Sequence, residues 1–176
     1  MINQEPGKDI CVQIRMPFIE RNFIKNFLTW KKLDTIIKDC DEKDFEVILE
    51  NKEKRFGKNN YKNKSIIISN CLKYLDCSLI KKYVDKNKLF QYSNWDAHIY
   101  ASFKKEACSF GKHSDYAHNL IVQQQGKSRW IVDNFCDTVL NPGDMLYIPF
   151  KYEHECVPLS KRLSVSFPFW PKEYCG

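Results

Sequence analysis

The sequence reads His113-Ser114-Asp115, and a third metal-ligating side chain, His154, follows far along the chain. A His-x-Asp pair with a distant histidine is the sequence form of a two-histidine, one-carboxylate facial triad. It places three ligands on one face of an octahedral metal and leaves the opposite face open. An open site of imidazole and carboxylate points to non-haem Fe(II). The pattern bears on the fold, because a strand that delivers a ligand from its far end is how a small barrel gathers distant residues onto one metal. His113 and Asp115 are two apart, so in an extended strand both side chains point the same way. His154 follows a turn pair, Pro142-Gly143, a short apolar run, Met145 to Ile148, and a terminating proline, Pro149.

The surrounding residues resemble a known family. Gly143-x5-Pro149-x4-His154 resembles the second motif of the cupins. His113-x-Asp115, with Asn119 and Gly126-x-x-Arg129-Trp130, resembles the JmjC and cupin-like Fe(II)- and 2-oxoglutarate-dependent oxygenases. The match is close over about residues 96–170 and loose before them. The resemblance implies Fe(II) and 2-oxoglutarate as cofactors, with His113, Asp115 and His154 as metal ligands, and a dioxygenase that hydroxylates a protein side chain. A metal-binding cupin that is not an oxygenase is the alternative, as is a hydroxylase of RNA or of a small molecule.

The distal carboxylate of 2-oxoglutarate needs a cation, because a buried, unpaired carboxylate is costly. The resembled family usually supplies it two residues after the glycine of the Gly126 motif, and here that residue is Ser128. Lys127 and Arg129 flank it but, by strand alternation, face the other way. Arg162-Leu163-Ser164 resembles the Arg-x-Ser that grips this carboxylate in other 2-oxoglutarate oxygenases. Period two places Arg162, Ser164 and Ser166 on one face. Asn119 matches a family position near the cosubstrate, and Tyr100 is a candidate hydroxyl donor to the same carboxylate. His98 and His118 are read as structural or supporting residues.

Seven short strand-like runs are expected after Asn94: 97–103, 108–113, 119–124, 128–132, 145–148, 154–157 and 162–167. Before it, helical spacing of apolar residues marks 22–39, and a second helix capped by Asn70 carries Leu72, Leu75, Leu79, Ile80 and Tyr83. Strands are expected at 10–14, 45–49 and 66–68, and a loop over 50–63. The fold expected is α+β: a double-stranded β-helix (jelly-roll or cupin) barrel with N-terminal helices. It forms one domain over 1–176, a helix-containing part over 1–94 and core barrel strands with the metal site over 95–170.

Composition bounds the partners. The eight cysteines form no Cys-x-x-Cys, and no secretion signal precedes them, so they read as reduced thiols, mostly in the core. No apolar run reaches the roughly 18 residues of a membrane span, so a soluble, intracellular protein is expected. The net charge is +6, and lysines crowd residues 51–90. That stretch reads first as a solvated face. Its functional reading is a surface for a macromolecule, with a protein substrate as the expected partner and nucleic acid as the other.

Overall fold

The computed structural model describes residues 16–105 and 107–172. The strand expected at 10–14 lies outside them. Twelve strands and two helices follow one another: β1 Phe18–Glu20, α1 Trp30–Asp39, β2 Phe45–Ile48, β3 Lys54–Phe56, β4 Ser65–Ile68, α2 Ser78–Asn87, β5 Tyr92–Trp95, β6 His98–Ser102, β7 His118–Gln125, β8 Ser128–Val132, β9 Cys136–Leu140, β10 Met145–Ile148, β11 His154–Pro158 and β12 Arg162–Pro171. All the strand pairings are antiparallel. The large sheet runs β1-β10-β7-β12-β6-β4-β2-β3, with β5 also on β12, and the small one runs β11-β8-β9. This is the expected double-stranded β-helix with helices ahead of the barrel.

The large sheet is covered on both faces, which explains why β7 is buried along nearly its whole length. Leu120 and Val122 point outward into a cluster with Leu33, Ile36, Ile80, Val84, Tyr147 and Phe167, so α1 and α2 pack there. Ile121 points inward and meets Trp130, Val132, Leu140, Leu146 and Ile148 between the two sheets. Each fully buried side chain of this size contributes about 1.5–3 kcal/mol. One face of β7 therefore anchors the helices, and the other builds the barrel interior.

Helix α1 starts later than the apolar spacing predicts. Thr29 is its N-cap and accepts from Lys32 N, and the buried stripe is Leu33, Ile36 and Ile37. Between residues 22 and 28, Leu28 is buried and Phe23, Ile24 and Phe27 are half-buried without a helix. The buried Gln124 side chain accepts from Phe27 N (2.7 Å) and Leu28 N (3.1 Å) and donates to Ile24 O, while Asn22 and Asn26 adopt positive φ. A long-range amide thus satisfies backbone groups that a helix would have satisfied locally.

Asn70 does not cap α2. It sits in the left-handed region, heads a single 3-10 turn over Cys71–Lys73, and donates its side-chain amide to Asp44. Helix α2 begins at Ser78, whose N–H is taken by Asp76. It buries Ile80 and Val84, whereas Leu79 is exposed. The expected loop 50–63 contains the short edge strand β3, and 108–113 is irregular apart from one bridge. The sequence reading also passed over β1, β5 and β9.

Two turns set the barrel geometry. At Pro142-Gly143, the buried Asp144 carboxylate accepts from Asn141 N, Asn22 N and Arg21 Nη1 (2.6 Å) and ties the turn to the N-terminal segment. At Gly126, φ is +68°, and an added Cβ would meet Lys161 O at 2.0 Å, so only glycine closes the β7–β8 turn against the β12 entry.

Candidate metal and cosubstrate site

His113 and His154 reach each other through the backbone first. His113 N donates to His154 O (3.0 Å) and His154 N to His113 O (2.8 Å), an isolated bridge that clamps the loop before β7 to the start of β11. The two rings lie 4.5 Å apart. Asp115 is irregular rather than in a strand, and its carbonyl accepts from Lys151 N. One ligand atom from each of His113, Asp115 and His154 lies within 4.8 Å of the others, the one such cluster among the described residues.

The ring nitrogens are assigned by their neighbours. Nδ1 of His113 faces Gly111 O and Nδ1 of His154 faces Tyr152 O, both at 2.9 Å. A carbonyl only accepts, so Nδ1 carries the proton in both rings and each Nε2 offers a lone pair. Nε2 of His154 lies 3.5 Å from one Asp115 oxygen, and Nε2 of His113 lies 3.9 Å from the other. Two metal–ligand bonds of about 2.1 Å each span at most about 4.2 Å, so these pairs suit one shared divalent ion. Burial pushes the Asp115 carboxyl up. In the metal-free protein, where Nε2 can carry a proton, the hydrogen bond and charge of His154, the charge of His113 and the Asn119 donor outweigh it and hold the group below its ordinary value. Asn119 Nδ2 donates to Asp115 Oδ2 (2.8 Å) and its own oxygen accepts from Ser166.

A cavity of about 430 Å³ opens beside this cluster, with Tyr100, Ile121, Trp130, Cys156, Arg162 and Ser164 among its walls. The register of the large sheet explains which side chains arrive. Arg162 pairs with Ser102 and Ser164 with Tyr100, while Ser166 pairs with Ile121. Alternation sends Leu163, Val165 and Phe167 to the outer core and the polar members inward. The Arg162 guanidinium is buried. It donates from Nε to Ser102 (3.2 Å) and from Nη1 to Ser164 (2.9 Å), and among the described residues no carboxylate pairs with it. Its remaining donors suit an anionic guest.

Ser128 lies outside the cavity lining. Its buried hydroxyl donates to Gln123 (2.7 Å) and accepts from the Trp130 indole (3.0 Å). It holds the Trp130 wall in place and offers no charge. Arg129 points away, paired with Asp137 on β9. Tyr100 lines the cavity, half-buried, and burial pushes its hydroxyl up, reinforced by the Asp115 charge, so the group stays a donor.

The two other histidines are elsewhere. His98 pairs with Asp96 at 3.0 Å. His118 is on the outer face of β7, stacked on Phe90 at 4.5 Å, with Nδ1 accepting from Tyr147 Oη. Ser109 and Phe110, which sequence reasoning passed over, also line the cavity. Phe110 packs edge-on to His113. They sit in an irregular segment, where no periodicity announces a side chain's direction.

Burial lowers the His118 pKa to about 4. The unfolded chain takes up this proton near pH 6.5, the folded one only near 4. Between those values the unfolded state holds more protons, so stability falls as pH drops from 6.5 to 4. Allowing for partial screening, the loss is on the order of 2 kcal/mol. Thermal unfolding from pH 7.5 to 4.5 should show this decline, and His118→Gln should flatten it within that window. A parallel decline in the variant would assign it to other groups.

Residues 132–175 match the JmjC domain family model. That stretch contains His154 and the whole of β12. Over that stretch the chain is similar to the JmjC domain family. A probable ribosomal oxygenase of Haemophilus influenzae is 32% identical over 92 residues, covering 39% of this chain and 23% of the relative. The crystal structure of Escherichia coli YcfD superposes with a TM-score of 0.68 at 19% identity, over 90% of this chain and 50% of that one. The structure of YcfD, described as a ribosomal oxygenase, in complex with cobalt and 2-oxoglutarate superposes with a TM-score of 0.65 at 20% identity, over 88% and 48%. The chain thus spans about half the length of these solved structures. No helix among its described residues is long and apolar enough to cross a membrane.

Proposed function

We propose that the chain is an Fe(II)- and 2-oxoglutarate-dependent dioxygenase that hydroxylates a protein side chain. The observation that carries this reading is the pairing of two features in one cavity: the convergent Nε2, Nε2 and carboxylate set, and a buried arginine with no acidic partner among the described residues. Two imidazoles and one carboxylate with an open side favour Fe(II), and a guanidinium with free donors favours a carboxylate. The relatives described as ribosomal oxygenases, one of them with cobalt and 2-oxoglutarate bound, support the same assignment and a protein substrate.

Fe(II), 2-oxoglutarate and O2 would together supply the oxidant, and oxidative decarboxylation of the keto acid would balance hydroxylation of the substrate. The chain's own residues prepare the site. Gly111 O and Tyr152 O face the two Nδ1 atoms, so His113 and His154 would bind a metal through Nε2, aimed inward. Asn119 engages one Asp115 oxygen and leaves the other free to bind metal. Arg162 and Ser164 would hold the distal carboxylate of the cosubstrate, with Tyr100 as a further donor, and Ile121 and Trp130 would keep water from its methylene carbons.

Ser128 in the place of the usual cation favours a second reading, a metal-binding cupin that does not use 2-oxoglutarate. Anaerobic titration of the Fe(II)-loaded protein with 2-oxoglutarate separates the two. A visible metal-to-ligand charge-transfer band that saturates at one equivalent is expected. Iron bound without such a band would leave the second reading.

A further inference from the structure

The lysine-rich stretch, uniform in sequence, divides in three dimensions. Lys81, Lys82 and Lys86 ride on α2, whose Ile80 and Val84 pack on the outer face of the large sheet, away from the cavity. Lys81 is already paired with Asp85. Lys62 and Lys64 lie at the entry to β4 and meet Lys104, which follows β6, around a separate groove of about 860 Å³. Phe103 N donates to Lys64 O and joins the two segments. Among the described residues no carboxylate forms an ion pair with Lys62, Lys64 or Lys104, although Glu50 stands on the same rim.

The groove adjoins the mouth of the catalytic cavity. Cys108 lines the groove, and the next two residues, Ser109 and Phe110, line the cavity. Two more lysines flank that short bridge. The Lys54 ammonium, paired with Glu46 at 2.9 Å, sits 4.7 Å over the Phe110 ring, and the Lys52 ammonium lies against Gly111. A positive groove thus leads to the loop that carries His113.

We propose that this groove binds the phosphate backbone of a nucleic acid, so that the protein segment to be hydroxylated is presented beside an RNA strand. The chemistry of the groove selects this occupant over an acidic peptide. Its cations are all lysines, which bind backbone phosphates as compact point charges. Its apolar lining is confined to Ile48 and Cys108, too little to seat the side chains of a docked peptide. The inference rests on the proposed function only in taking the 430 Å³ cavity as the catalytic site.

The test reads binding and needs no metal, so failure of the dioxygenase reading leaves its result intact. Fluorescence anisotropy with a labelled single-stranded RNA of roughly 20 nucleotides is compared across three proteins. The wild type should bind at about 50 mM salt. The triple variant K62Q/K64Q/K104Q should bind at least tenfold more weakly, and its log–log salt slope should be shallower by about 2, as expected for three lost phosphate contacts on a single strand. K81Q/K82Q/K86Q loses the same charge from α2 and should stay within about twofold of wild type. Matching melting curves for the two variants exclude a folding defect. Equal weakening in the two variants would overturn the groove, as would absence of wild-type binding. Displacement of the RNA by polyglutamate at equal charge concentration would assign the groove to acidic protein and overturn the proposal.

Discussion

Replacing His154 by alanine should abolish stoichiometric Fe(II) binding at micromolar protein. His154 is buried, its Nδ1 is committed to Tyr152 O, and its Nε2 is the ligand atom facing Asp115 at 3.5 Å. Losing even an outer partner of a metal ligand costs about 10–100-fold in affinity, so losing one of three ligands should cost more than about 100-fold. Isothermal titration under anaerobic conditions measures it. The backbone bridge between residues 113 and 154 uses only N–H and C=O groups, so the variant keeps it, and a near-native melting curve is expected. His113→Ala, at the more open end of the cluster, provides a second variant with less packing to lose. Wild-type iron affinity in both would refute the triad.

Arg162→Ala should weaken 2-oxoglutarate binding roughly ten- to over a hundred-fold, the equivalent of about 1.5–3 kcal/mol for hydrogen bonds to a charged group. Iron binding should change little, because Arg162 contacts Ser102 and Ser164 rather than a metal-ligand candidate. Arg162→Lys should recover part of the loss, since an ammonium keeps the charge but not the planar fork. Arg129→Ala is the control. Its guanidinium lies on the exposed side of β8 against Asp137, so the titration should be nearly unchanged. A large effect at Arg129 with none at Arg162 would mean that the β8 strand supplies the cation. The charge-transfer band reports cosubstrate binding directly, so a defect in turnover alone does not count for either outcome.

Much of the candidate site was legible because strands write their geometry with period two. Arg162, Ser164 and Ser166 on one face, and Ser128 turned from Arg129, follow from alternation alone, and the structure has them so. The expectation for 108–113 failed for a related reason. A backbone bridge between His113 and His154, not a strand, positions the first histidine, and hydrogen bonds between distant irregular segments leave no local periodicity. The helix expected from Asn22 failed because Gln124 satisfies that backbone from across the fold.

The sequence by itself determined the types and spacing of the candidate ligands, the turn at Pro142-Gly143, the barrel class and the absence of a cation at position 128. These depend on residue identity and on short-range backbone geometry. Only the tertiary structure decided that Arg162 is buried without an acidic partner among the described residues, that Ser128 is spent on Gln123 and Trp130, and that the lysine-rich stretch splits between α2 and a groove at the cavity mouth. Each of these depends on which strands become neighbours, and long-range pairing is set by the burial of whole faces rather than by any one residue and its sequence neighbours.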